Sequence, residues 1–120
     1  MQKYSDIEIE LLSLQIGCTI KLKRLKNGIS QEDLGLIIGS NATMIGRIER
    51  YETSTSWQNL LKICQAIELD YVCLFKLKSL EEILFIIDEC LQYEKKLTIE
   101  KENYYKILKK TVKEKFKSQS

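Results

Sequence analysis

Several helix boundaries fall between Asn27 and Asn41, and this close spacing limits the possible folds more than any other feature of the chain. Asn27-Gly28 is predicted to end one helix, because glycine adopts the left-handed backbone conformation at little cost. Ser30 can cap a second helix, with acidic side chains in its first turn. That helix stops before Gly39, and Asn41 can cap a third. The sequence therefore predicts two short helices joined by a turn of three or four residues.

Helix signals continue on both sides of this pair. Ser5 and Glu8 have the spacing of a capping box, so a long first helix is predicted to end at Lys26. The apolar spacing then predicts a third helix over 42–52, a fourth over 57–67 and a short fifth over 71–75. The predicted fold class is all-α, with five helices in residues 1–78 and two more helices after them.

Residues 79–120 differ from the rest in charge pattern. Residues 79–94 carry five acids and no base, and residues 95–120 carry nine lysines against three acids. Apolar residues at helical spacing predict a sixth helix over 79–94 and a seventh over 99–116, with a strand over 83–87 as the alternative for part of the sixth. The apolar positions are Leu80, Ile83, Leu84, Ile87 and Leu91 on the sixth helix, and Leu108, Val112 and Phe116 on the seventh.

Composition argues against several classes of function. Histidine is absent, which removes the commonest general base and the commonest metal ligand. The four cysteines form no close pair, so free buried thiols are favoured over a disulfide or a metal site. We therefore expect no catalytic residues, no metal and no cofactor. The chain has no apolar run of membrane-spanning length and its first residues do not resemble a signal peptide, so we expect a cytoplasmic protein without membrane attachment.

Three segments between residues 16 and 75 resemble the sequence pattern of one known family, and all three align to that pattern without gaps. They are Ile29-Ser30-Gln31-Glu32-Asp33-Leu34 followed by Gly39, then Met44-Ile45-Gly46-Arg47-Ile48-Glu49-Arg50, then Leu60-Leu61-Lys62-Ile63. Together they resemble the XRE, or lambda-repressor-like (Cro-type), helix-turn-helix family. The resemblance implies that residues 1–78 form a DNA-binding domain whose third helix enters the major groove of double-stranded DNA. It does not extend to residues 79–120.

The third helix would then read bases. The resemblance implies that Ala42, Thr43 and Arg47 face base edges, and their spacing agrees, because residues 43 and 47 lie on the face opposite Ile45 and Ile48. Arg47 could donate two hydrogen bonds to guanine, while Ala42 and the Thr43 methyl group suit a thymine methyl. A solvated helix charge is the alternative interpretation of Arg47.

Other polar residues lie where phosphates could bind. Gln31 and Asn41 stand at helix N-termini, although Asn41 could serve only as a cap. Arg50 and the hydroxyl-rich loop 53–56 are further candidates for phosphate contacts. Lysines 95–96 and 109–110 could strengthen DNA contact, with a solvated surface as the simpler interpretation.

The resemblance also implies a structural clamp, in which Arg24 on the first helix pairs with Glu49 on the third. Two positions depart from the family pattern, with Gly35 in place of the usual alanine and Tyr51 in place of the usual glycine. Gly35 permits close helix crossing. Tyr51 either adopts a left-handed conformation or lets the third helix continue, which leaves the path of the loop after Arg50 open.

The leading functional hypothesis is a transcriptional regulator that is not an enzyme, most simply a repressor that binds a palindromic operator as a homodimer. Residues 79–120 would form the dimerisation segment, because a single short recognition helix reads few bases. The alternative for this segment is a lid folded back on its own chain. The alternative function is an antitoxin-like protein, whose C-terminal helices bind a partner protein while the helix-turn-helix autoregulates.

Overall fold

The structure, a computed structural model, describes residues 3–119, and within that range the chain is all-α, as predicted. The helices are α1 (Asp6–Lys26), α2 (Gln31–Ile37), α3 (Ala42–Glu49), α4 (Trp57–Ile67), a one-turn 3-10 helix (Val72–Phe75), α5 (Leu80–Tyr93) and α6 (Ile99–Gln119). No strand occurs between residues 3 and 119, so the strand alternative for 83–87 is wrong, and those residues lie in α5.

Local capping chemistry sets most helix boundaries. The capping box is present at the start of α1, where the Ser5 amide donates to Glu8 at 2.9 Å and the Glu8 amide donates to Ser5 Oγ at 3.1 Å. Gly28 and Gly39 have φ values of +69° and +73°, which only glycine adopts without strain, and they follow α1 and α2. The predicted breaks before and after α2 are therefore correct.

Three predicted elements differ from the structure. The third helix ends at Glu49 instead of residue 52, because Tyr51 has a left-handed backbone with φ of +48°. The fifth is a single 3-10 turn. The last helix continues beyond residue 116 to Gln119.

Two hydrophobic cores lie on opposite faces of α1. The first core joins α1 to the helix-turn-helix and to α4. Its buried residues are Ile20, Leu34, Ile38, Ile45, Ile48, Leu60, Ile63, Cys64, Ile67 and Leu74. Ile37 is 61% exposed, because Leu34 and Ile38 already form the inward row of the short α2.

The second core joins α1 to the two C-terminal helices. Its buried residues are Leu11, Leu14, Cys18, Ile83, Ile87, Cys90, Tyr105, Leu108 and Val112. The apolar faces predicted for residues 79–120 are thus buried against α1 of the same chain. Since α1 contributes to both cores, the helix-turn-helix and the C-terminal helices share one central helix.

Polar contacts reinforce this arrangement. The buried Gln15 side chain on α1 holds the segment before α5, since its Nε2 donates to the carbonyl oxygen of Lys76 at 2.8 Å and its Oε1 accepts from the Lys78 amide at 3.0 Å. The opposite charges of α5 and α6 meet within the chain, where Lys109 Nζ lies 2.7 Å from Asp88. Such exposed pairs add little stability, so the side on which α6 packs is set by its buried residues in the second core.

Candidate nucleic-acid interface

Helix α3 presents one polar face to solvent. Its N-cap is Asn41, whose side chain accepts a hydrogen bond from the Met44 amide at 2.9 Å. Thr43 and Arg47 are exposed, and Ala42 is half-buried beside them. The opposite row, Ile45 and Ile48, is buried in the first core. The solvent-facing side of α3 therefore carries the three residues that the sequence predicts to contact bases.

A buried ion pair fixes α3 against α1. Arg24 Nε donates to Glu49 Oε2 at 2.6 Å, and Arg24 Nη2 donates to Glu49 Oε1 at 3.0 Å. Arg24 Nη1 also donates to the carbonyl oxygen of Ile29 at 2.9 Å. The two residues are 6% and 2% exposed, so this two-point contact is shielded from solvent. It sets the orientation of α3 relative to α1 and to the start of α2.

Gln31 belongs to the same network. Its Nε2 donates to Glu49 Oε1 at 3.0 Å, which links the first residue of α2 to the last residue of α3. An amide nitrogen carries two hydrogens, so one remains for another acceptor. Gln31 therefore acts first as a bridge between the two helices of the motif.

Two glycines allow the helices to approach closely. A Cβ at Gly17 on α1 would lie 2.6 Å from the carbonyl oxygens of Ile48 and Glu49, and a Cβ at Gly35 on α2 would lie 2.5 Å from the backbone of Asn41. Both neighbours are backbone atoms that cannot rotate away. The absence of a side chain at these positions sets how deeply α3 sits against α1 and α2.

The loop after α3 turns sharply at Tyr51. This residue packs against the second core, which is the packing that offsets its left-handed conformation. Arg50 Nε donates to Glu52 Oε2 at 2.6 Å, and that hydrogen bond raises the pKa of Arg50 and lowers the pKa of Glu52. Both side chains are about half exposed, so this ion pair is in contact with solvent.

The cysteines do not form a reactive group. Burial raises the pKa of Cys18 to about 12 and that of Cys64 to about 11, so both remain neutral thiols near neutral pH. Cys90 is also buried, but Cys73 is exposed, which corrects the expectation of four buried thiols. Between residues 3 and 119, no group of three or more Asp, Glu or Cys side chains is placed to hold a metal ion.

Comparison with known proteins agrees with this geometry. Residues 20–72 match the sequence model of a family described as Helix-turn-helix. No curated protein matches the chain. The fold and this match together identify residues 20–72 as a helix-turn-helix domain. The matched segment belongs to the XRE, or lambda-repressor-like, family, whose members are DNA-binding regulators. No helix within residues 3–119 is long and apolar enough to cross a membrane.

Proposed function

We propose that this protein is a sequence-specific transcriptional regulator in the cytoplasm. It would act as a repressor by occupying an operator. The observation that carries the proposal is the exposed face of α3, held at a fixed orientation by the buried Arg24–Glu49 pair. Occupancy needs no catalytic group, and we assign none.

The residues on this face divide into two roles. Arg47 donates to guanine, and Ala42 and Thr43 contact a thymine methyl group. Gln31 and Asn41 contact phosphates at the helix N-termini, and Arg50 contacts a phosphate once its hydrogen bond to Glu52 is broken. Arg24 and Glu49 are positioning residues, because both are buried beneath the interface.

A homodimer on a palindromic operator is the assembly that this role requires, since one short recognition helix reads few base pairs. We propose that residues 79–120 supply the interface. The row that includes Ile83 and Ile87 is buried within the chain, so the interface would use the outward residues of the same helices. Phe85 on α5 and Ile107 on α6 are 57% and 65% exposed, so these two side chains are available for an outward interface.

One experiment tests both parts of the proposal. DNA bound by the full chain is selected from a random duplex library, and the mass of the free protein is measured by light scattering at micromolar concentration. We expect an enriched motif with two inverted half-sites about one helical turn apart and a mass of two chains. Replacing Phe85 and Ile107 by serine should give a monomer that binds the selected site far more weakly.

Other outcomes contradict specific parts. An unenriched library would contradict sequence-specific binding. If the full chain is monomeric and still enriches a motif, the proposed homodimer is wrong. It would favour the antitoxin-like alternative, in which the exposed surface of residues 79–120 binds a partner protein.

A further inference from the structure

A positively charged cleft separates the helix-turn-helix from the C-terminal helices. It has a volume of about 340 Å³ and lies between the second half of α1, residues 28–31 and the turn that joins α5 to α6. Five cationic side chains and one carboxylate line it: Lys21, Arg24, Lys95, Lys96, Lys101 and Glu94. The cleft is therefore a local concentration of positive charge on a chain whose formal net charge is only +2.

The single carboxylate of the cleft is already neutralised. Glu94 accepts a hydrogen bond from Tyr105 at 2.5 Å, and its oxygens lie 3.3 Å from Lys21 Nζ and 3.4 Å from Lys101 Nζ. Burial raises the pKa of Glu94, but these three partners outweigh it and lower the pKa overall. Glu94 is thus a structural anion that holds the turn against α1.

Lys95 and Lys96 remain uncommitted. Both are exposed, and neither has an ion-pair partner among the described residues. The turn itself is rigidly placed, because Lys101 Nζ also donates to the carbonyl oxygen of Lys96 at 2.9 Å. Two lysines without ion-pair partners therefore project from a turn whose backbone position is fixed.

The position of this cleft relative to α3 identifies its partner. Gln31, the first residue of α2, lines the cleft and also donates to Glu49 of α3. In a helix-turn-helix the helix before the recognition helix crosses the sugar-phosphate backbone. A DNA strand crossed by α2 would therefore run past Gln31 and this cleft, and the flexible four-carbon side chains of Lys95 and Lys96 would extend to it.

We propose that Lys95 and Lys96 contact DNA phosphates next to the helix-turn-helix, so that the turn between α5 and α6 extends the DNA interface. This inference rests on the proposed function. It assigns part of the C-terminal segment a direct role in binding, one that adds affinity without reading sequence, because phosphates are the same at every base pair.

The test compares two double variants of equal charge in the full chain. Lys95→Ser with Lys96→Ser removes the proposed contacts. Lys106→Ser with Lys113→Ser removes two exposed lysines of α6 that lie outside the cleft. The dissociation constant of each protein is measured against salt concentration on a selected site and on an unrelated duplex of the same length.

We expect the first variant to reduce the slope of log K against log salt by about 0.9 for each lost contact, or roughly two per protomer. Its affinity should fall on the order of ten- to fifty-fold per bound protomer near 0.1 M salt, by the same factor on both duplexes. The control should retain the original slope, and Lys95→Arg with Lys96→Arg should restore it. Thermal melts should be unchanged throughout.

Equal loss of slope in both double variants would overturn the inference, because the effect would then be one of total charge. An unchanged slope in the Lys95 and Lys96 variant would overturn it as well. Failure of the unmodified protein to bind either duplex is a different result, since it would overturn the proposed function itself.

Discussion

Arg24→Ala is expected to lower the stability of the whole domain by about 3–5 kcal/mol, the range typical of breaking a buried ion pair by removing one partner. Glu49, 2% exposed, would keep only its hydrogen bond from Gln31 and would be left as a buried charge without a cation. In a chain of this size the loss corresponds to a fall in Tm of roughly 10–20 °C. Thermal unfolding followed by circular dichroism measures it.

Arg50→Ala provides the matched control, because it also breaks an Arg–Glu pair. Arg50 and Glu52 are about half exposed, so their separation leaves both groups solvated and should change Tm very little. A small effect of Arg24→Ala on Tm, equal to that of Arg50→Ala, would show that the clamp does not stabilise the fold. If DNA affinity alone then fell, Arg24 would be a phosphate contact.

Ile87→Ala is expected to destabilise the protein by about 2–5 kcal/mol, because it leaves a cavity at a fully buried position of the second core. Ile87 lies in α5, outside the segment that matches the helix-turn-helix family. Since α1 carries both cores, we expect a single unfolding transition in which DNA binding is lost together with the helical signal. Circular dichroism and DNA binding measured over the same temperature range test this.

Ile99→Ala is the control for the second core. Ile99 lies at the start of α6 and is 77% exposed, so its truncation should change stability by no more than about 0.5 kcal/mol. Two separate transitions in Ile87→Ala, with DNA binding retained through the first, would contradict the shared core. The C-terminal helices would then fold independently of the helix-turn-helix.

The features that could be predicted from sequence are those fixed by neighbours along the chain. Caps such as Ser5, Ser30 and Asn41 act on amides three residues away, so their helices begin where predicted. The exposed face of α3 also follows from the spacing of Ile45 and Ile48. The Arg24–Glu49 contact spans 25 residues, and only the resemblance to a family indicated it.

The features that sequence reasoning missed depend on distant partners. Leu11, Leu14 and Cys18 form a second apolar row on α1, at helical spacing. The burial of this row follows only from its packing against α5 and α6. Gln15 satisfies backbone groups about sixty residues away, and no local pattern marks such a contact. Gly17 is another such residue, because a side chain at this position is excluded only by the crossing of α1 with α3.

The loop after α3 shows where a departure from a pattern could not be resolved in advance. Tyr51 replaces a usual glycine, and its left-handed conformation is possible because the aromatic side chain packs against the second core. That core is built largely from residues 79–120, which the family resemblance does not cover. The path of the loop therefore depends on residues 79–120.

The central claim is that α3 reads bases through Arg47, and Arg47→Ala tests it most directly. The dissociation constants of the original protein and the variant are compared on a duplex selected by the original protein and on an unrelated duplex of equal length. We expect a loss of about 1–3 kcal/mol on the selected duplex, or roughly five- to 150-fold, with relaxed preference at one base pair of each half-site. Binding to the unrelated duplex should change far less. Equal weakening on both duplexes would make Arg47 a phosphate contact, and unchanged binding to the selected duplex would contradict base reading by this residue.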